Sequence, residues 1–399
     1  MPPTQPGPQT LPDFRSRQFL LRHVGDTMAF YHPRCVDPQG GFFHFFRDDG
    51  RVYDQHTRHL VSSTRFVFNY SMAWQAFGEP AYREAVGHGV DFLRTAHRNP
   101  ETGGYAWVLH DGRVVDSTNH CYGLAFVVLA YAKALEAGIE AARGWIAETW
   151  ELMERRFWEP AHDLYADEAD ATWKLSPYRG QNANMHVCEA CLAAYEATGE
   201  ARYLQRAATL AQSMAGRQAA LADGLVWEHY HADWSVDWDY NRGDRSNIFR
   251  PWGFQPGHQV EWAKLLLILD RHAPEDWHLP RARELFDRAM AMAWDPAHGG
   301  LVYGNAPDGS VYDAEKYFWV QAESLATAAL LADRTGEGRY WEWYQRLWTY
   351  AWTHFVDHER GAWYRILGPD NRKLDDLKSP AGKTDYHTMG ACYEVLRVL

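Results

Sequence analysis

The stretch NHCYGLAFVVLAYAKAL, residues 119–135, is apolar nearly all round, with Lys133 as its one formal charge. A helix without a polar face is buried on every side. The stretch DFRSRQFLLRHVGDTMAFY, residues 13–31, reads differently. Its apolar residues fall on one stripe and its charges on the other, so one face meets water. The two kinds alternate along the whole chain. The amphipathic kind recurs at 13–31, 80–97, 139–157, 200–217, 279–294 and 338–355, and the apolar kind at 57–77, 116–137, 181–198, 256–271, 317–334 and 383–399.

An aromatic turn, carrying Gly in five of its six copies, recurs between them: GGFFHF from Gly40, GGYAWV from Gly103, HDLYAD from His162, DGLVWEHY from Asp223, HGGLVYG from His298 and GAWYRIL from Gly361. A period of about 60 to 75 residues marks a repeated supersecondary unit. Six exposed helices alternating with six buried ones are satisfied by an inner ring of six wrapped by an outer ring of six. The expected fold is therefore all-α, an (α/α)6 barrel, with the turns as short β-hairpins from each outer helix to the next inner one. A solenoid pairs helices similarly but ends in polar caps, and the last segment here is apolar. One domain is expected over 13–399, after a disordered Pro-rich lead-in over 1–12.

Composition narrows the partners. The net charge is −12, and the basic residues are scattered. No stretch is dense enough to track a phosphate backbone, which excludes nucleic acid. Uninterrupted apolar runs, such as 124–132 and 265–269, are far too short to cross a bilayer. The N-terminal MPPTQPGPQT has neither the basic nor the apolar region of a signal peptide. Five cysteines without framework spacing suggest reduced thiols and the cytoplasm. Cys188 and Cys191 form a CxxC with no second pair, a poor zinc or redox signal. Nineteen Trp and 22 Tyr suit sugar-ring stacking as well as helical cores.

Polar residues on buried helices need a reason, and here they gather at the helix starts. Arg58 opens the first inner segment, Asn119 and His120 the second, Asn182 and His186 the third. His258 and Glu261 open the fourth, Trp319 and Glu323 the fifth, and His387 the sixth. Residues three or four apart share a helix face. Parallel inner helices bring all six sets to one end of the barrel, around one pocket. Four histidines in the same register argue for a shared site over four separate accidents. A buried His at a helix N-terminus tends to stay neutral, the form a general base needs. The pair His56/His59 lacks an HExxH context, and the phosphate-loop, dinucleotide and nucleophile-elbow motifs are missing from the sequence.

The motifs DQHTRHLVSSTRFVF (54–68), QNANMHVCEA (181–190), QPGHQVEWAKLLL (255–267), KYFWVQAES (316–324) and KTDYHTMGACYEVL (383–396) carry a resemblance. In them the chain resembles the N-acylglucosamine 2-epimerase superfamily, over nearly its whole length from about Phe14. The resemblance implies an (α/α)6 barrel and aldose chemistry that needs neither metal nor cofactor. It implies that His258 and His387 are the catalytic acid/base pair. Arg58 should bind substrate oxygens near C1 and C2, and Trp319 should stack on the sugar. His186, Glu261 and Glu323 should orient the ring and tune the histidines, with Asn182 and His120 as further substrate contacts.

Within that superfamily, motifs and length stand closest to the mannose and sulfoquinovose isomerases. Aldose–ketose isomerisation through a cis-enediol is thus the expectation, and 2-epimerisation the alternative. A sulfonated sugar should demand an extra cation. Arg58 is the one Arg or Lys expected in the pocket, which favours a neutral aldose such as D-mannose or D-lyxose. Arg242, Arg245 and Arg250, in a long loop expected over the pocket at 227–255, keep the anionic option open. A glycoside hydrolase would need two carboxylates across the scissile bond, with Glu261 and Glu323 or Asp116 available. A non-catalytic sugar-binding protein is the third possibility. The expected partner is a small-molecule sugar, and the protein itself a monomer or homodimer.

Overall fold

The computed structural model describes residues 11–244, 247 and 249–399. The first ten residues of the expected lead-in, and Arg245, lie outside the described residues. Six inner helices, α2 (Leu60–Phe77), α4 (Cys121–Glu136), α6 (Gln181–Thr198), α8 (Pro256–His272), α10 (Phe318–Thr335) and α12 (Tyr386–Leu396), form a closed ring in which each packs on the next and α12 returns to α2. Six outer helices surround it: α1 (Arg17–Tyr31), α3 (Pro80–Phe92), α5 (Ala142–Arg156), α7 (Ala201–Ala211), α9 (His278–Ala293) and α11 (Gly338–His354). This is the (α/α)6 barrel. Helices α3 and α7 each run on into a π-helical turn, Leu93–His97 and Gln212–Gln218. No helix among the described residues is long and apolar enough to cross a membrane.

The two helix classes differ in burial as their sequences do. Every residue of α4 from Gly123 to Leu135 is buried, whereas α9 buries one stripe: Ala282, Leu285, Phe286, Ala289, Met290 and Ala293. All five cysteines are free and buried, and burial raises the thiols of Cys188 and Cys191 well above the ordinary value. They are small core residues of α6.

Short hairpins follow the outer helices, as at Val36↔Phe42, Arg98↔Tyr105, Trp294↔Leu301 and Val356↔Trp363. A recurring amide clamp fastens several hairpins to the inner ring. Asn184, near the start of α6, accepts from the Tyr165 N–H at 2.8 Å and donates to its carbonyl at 3.0 Å. Gln259 on α8 does the same to Val226 (2.9 and 2.8 Å), and Gln321 on α10 to Leu301 (3.0 and 2.9 Å). Each clamp satisfies two buried backbone groups that would cost about 1–3 kcal/mol each if left bare. It also fixes each hairpin over a helix start, where the polar residues lie.

Inner helices α2, α4 and α12 start later than the sequence pattern suggests, α12 at Tyr386. Residues Thr57–His59 form a strand paired with Val108–His110, and Asn119–His120 pair with Glu168–Ala169. Arg58 and His120 therefore sit on strands ahead of α2 and α4, not on the first helical turn.

Candidate active site

A cavity of about 100 Å3 opens at the N-terminal end of the inner ring. His258 and His387 both line it, on the first turns of α8 and α12. Each ring is held from behind by a buried carboxylate. His258 Nδ1 lies 2.9 Å from Glu228 Oε1, and His387 Nδ1 lies 2.6 Å from Glu323 Oε1. With Nδ1 occupied in both, Nε2 is the nitrogen left for a ligand. Glu228 is itself fixed, since its other oxygen accepts from Gln181 Nε2 at 3.0 Å. Gln181 in turn accepts from the Trp262 indole at 2.8 Å. Trp319 stands beside both histidines, its ring centroid 5.1 Å from His258 and 5.7 Å from His387.

Asn182, His186 and Glu261 complete the set of expected residues that line this cavity. His186 Nδ1 meets Glu189 Oε2 at 2.9 Å, one turn along α6, and Glu189 also accepts from the Tyr386 hydroxyl. Burial pulls His186 below the ordinary imidazole value, with Glu189 opposing. Burial also depresses His387, helped by Arg65 and Lys264. Both rings are thereby kept neutral near pH 7. Burial and the neighbouring Glu323 push Glu261 well above the ordinary carboxyl value. Glu323 lies outside the cavity wall, behind His387.

Arg58 is not in this cavity. Its Nη2 pairs with Asp37 Oδ2 at 2.6 Å, and its Nη1 donates to the Gln55 and Thr57 carbonyls at 2.9 and 3.0 Å. A guanidinium does reach the cavity from α2, that of Arg65 on its second turn. Arg65 donates to the Gly382 carbonyl and the Tyr122 hydroxyl, and packs on the rings of Phe126 and Tyr386. Among the described residues it makes no ion pair. Lys383 and Arg365 also line the cavity, which corrects the expectation of Arg58 as its one cation. Both are paired with carboxylates, Lys383 with Asp385 and Arg365 with Asp375.

His120 belongs to a neighbouring cavity of about 400 Å3, against Trp107 (4.1 Å between centroids) and 3.5 Å from Glu168. Tyr122, Asn182 and Phe249 line both cavities. Phe249 comes from the 227–255 segment, which thus reaches the pocket. In that segment Arg250 binds Glu168 at 2.6 Å, and Arg242 pairs with Asp239. Glu261, Glu323 and His387 are the one group of three donors among the described residues that could gather round an ion. The Lys264 ammonium, bound to Glu323 Oε2, already supplies a cation there.

Comparison with known proteins matches this arrangement to a family. The family model described as N-acylglucosamine 2-epimerase aligns with residues 41–391. A D-mannose isomerase of Marinomonas mediterranea is 56% identical over 97% of this chain and 99% of its own. A crystal structure of a D-mannose isomerase, also 56% identical, superposes with a TM-score of 0.96 over 98% of this chain and 100% of that one. A cellobiose 2-epimerase from Bacillus thermoamylovorans shares the fold at 19% identity, with a TM-score of 0.85 over 96% of this chain and all of that one. With α8 and α12 of the inner ring presenting His258 and His387 at one end, and the family model spanning most of that barrel, the chain belongs to the N-acylglucosamine 2-epimerase family.

Proposed function

We propose that the protein is a metal-independent aldose–ketose isomerase that interconverts D-mannose and D-fructose through a cis-enediol or enediolate. The observation that carries this reading is the pair of histidines, His258 and His387, each held at Nδ1 by a buried carboxylate and facing one cavity. Similarity to the D-mannose isomerase of Marinomonas mediterranea favours mannose and isomerisation over the other aldose reactions of the family.

One histidine, in its protonated form, gives a proton to the ring oxygen while the other takes the proton of the anomeric hydroxyl, which opens the sugar. A neutral histidine then takes the C2 proton and returns it to C1, while the hydroxyl proton of O2 passes to O1, so the carbonyl moves from C1 to C2. The oxygens at C1 and C2 gain negative charge in turn. Arg65, which has no carboxylate partner among the described residues, is the group we assign to stabilise that charge. His186, Glu261 and Asn182 hold hydroxyls, and Trp319 takes a ring face. The cellular setting that suits such an enzyme is the cytoplasm.

Incubation with D-mannose and EDTA in D2O, followed by NMR, tests the reading. Fructose is expected, with protium retained between C1 and C2 if one base carries it. Glucose deuterated at C2 would replace the isomerase reading with a two-base epimerase. No turnover of mannose would remove it.

Gly257 provides a check on Trp319. A Cβ at Gly257 would fall 2.3 Å from the Trp319 ring, so Gly257→Ala must displace the indole. Aromatic stacking is worth about 0.5–1.5 kcal/mol, so KM for mannose is expected to rise about 3- to 10-fold. An unchanged KM would mean that Trp319 does not touch the sugar.

A further inference from the structure

Below the histidine pocket the barrel axis carries a layer of buried charge that does not line the cavity. Lys264 lies on α8 three residues beyond Glu261 and six beyond His258, and its ammonium binds Glu323 Oε2. The other oxygen of Glu323 holds His387 Nδ1. One carboxylate therefore joins a buried lysine to a pocket histidine. A second cavity of about 70 Å3, among the C-terminal halves of the inner helices, abuts Lys264 and Glu323 from below. It has room for several waters, each needing about 10–15 Å3.

The charged and titratable groups around Glu323 come from three helices: Lys264 and Glu261 from α8, Glu189 and His186 from α6, and Tyr386 and His387 from α12. Arg65, from α2, acts on His387. Burial drives Glu323 toward its neutral form, and Glu189 adds to this; Lys264 is the strongest opposing influence. The two forms of Glu323 impose opposite tautomers on His387. An ionised carboxylate only accepts, so Nδ1 carries the proton and Nε2 offers a lone pair to the sugar. A protonated carboxyl donates to Nδ1 instead. The ring proton must then sit on Nε2, where it blocks the base.

We propose that Lys264 is a positioning residue that keeps Glu323 an acceptor and so fixes the tautomer in which His387 can act as a base. The proposal rests on the histidine chemistry above, but its primary test needs no sugar. Ring 15N shifts of histidine-labelled protein report the tautomer, with His387 assigned by loss of its signals in His387→Gln. The wild type is expected to show the Nδ1–H form at pH 7.5. Lys264→Met should move the proton to Nε2 and lower mannose turnover about 100-fold or more, with recovery as pH rises and Glu323 ionises. Lys264→Arg should keep the wild-type tautomer.

Removing one partner of a buried ion pair strains folding. The double variant Glu261→Gln/Lys264→Met deletes a carboxylate with the ammonium and should show the same switch. Methylammonium, entering Lys264→Ala through the lower cavity, should restore the Nδ1–H form. A folded Lys264→Met or double variant that retains Nδ1–H, or a Lys264→Arg protein that loses it, would overturn the proposal. A wild type inert toward mannose whose variants still switch tautomer would instead sink the isomerase reading alone.

Discussion

His258→Gln and His387→Gln are each expected to lower kcat for mannose by about 10^2- to 10^4-fold, the range of general acid–base catalysis. Glutamine keeps a polar group near each carboxylate, so the loss should not come from an empty cavity. The two deletions should also fail to multiply, because both histidines serve one sequence of proton transfers. The wild-type pH profile carries a second expectation. Burial, with Arg65, Lys264 and His186, holds His387 well below the ordinary value of 6.5. Its neutral form persists on the acid side of 6.5 and is lost only as pH falls through the depressed value. The acid limb of kcat should therefore lie below pH 6.5. Unfolding must be separated from it. Burial lowers His23, His97 and His229 to about 4 and His59 to about 3. The unfolded chain then binds more protons than the fold between those values and 6.5, so stability falls as pH falls through that window. Circular dichroism at each pH distinguishes the two losses. A limb at or above 6.5 in a folded enzyme would mean that the acting base is not a depressed histidine.

Helix identity, order and count were legible because burial of an inner helix removes the polar face that α9 and α1 retain. The exact starts of α2 and α4 were not. Their first residues are recruited as edge strands by Val108–His110 and Glu168–Ala169, partners distant in sequence. That recruitment explains why Arg58 and His120 were read into the wrong place. The histidines at 186, 258 and 387 were legible from their register at the starts of apolar helices. Glu228 was not, because it sits in an aromatic hairpin and becomes a partner of His258 only when the Gln259 clamp folds that hairpin over α8. Lys264 and Glu189 lay inside quoted motifs. An unexplained charge deep in an apolar helix was the signal that could have found them. The amide clamps show the opposite hazard: Asn184, Gln259 and Gln321 are inner-helix polar residues whose bonds go to the backbone.

Arg65→Met and Arg58→Met are expected to fail in different ways, and the contrast tests the assignment of the cavity guanidinium. Arg65 reaches the histidine cavity with neutral hydrogen-bond partners, so its charge remains available to an oxyanion. Deleting one such stabilising group costs about 10^2- to 10^3-fold in kcat. Arg65→Met should show that loss with the fold retained, since the rings of Phe126 and Tyr386 can pack on a thioether as they do on the guanidinium. Arg65→Lys should recover part of it, because the charge returns without the planar fork. Arg58 is spent on Asp37 and two backbone carbonyls. Arg58→Met strands a mostly buried carboxylate and leaves those carbonyls bare, a change that costs about 3–5 kcal/mol of stability. The surviving folded fraction should nevertheless turn mannose over with a kcat within a few-fold of wild type, because no atom of Arg58 lines the cavity. Denaturant titration and steady-state kinetics on both variants give the answer. Full activity in Arg65→Met would remove Arg65 from the chemistry. A stable Arg58→Met enzyme with a collapsed kcat would return Arg58 to it, and would require the Thr57–His59 strand to move toward the sugar when the substrate binds.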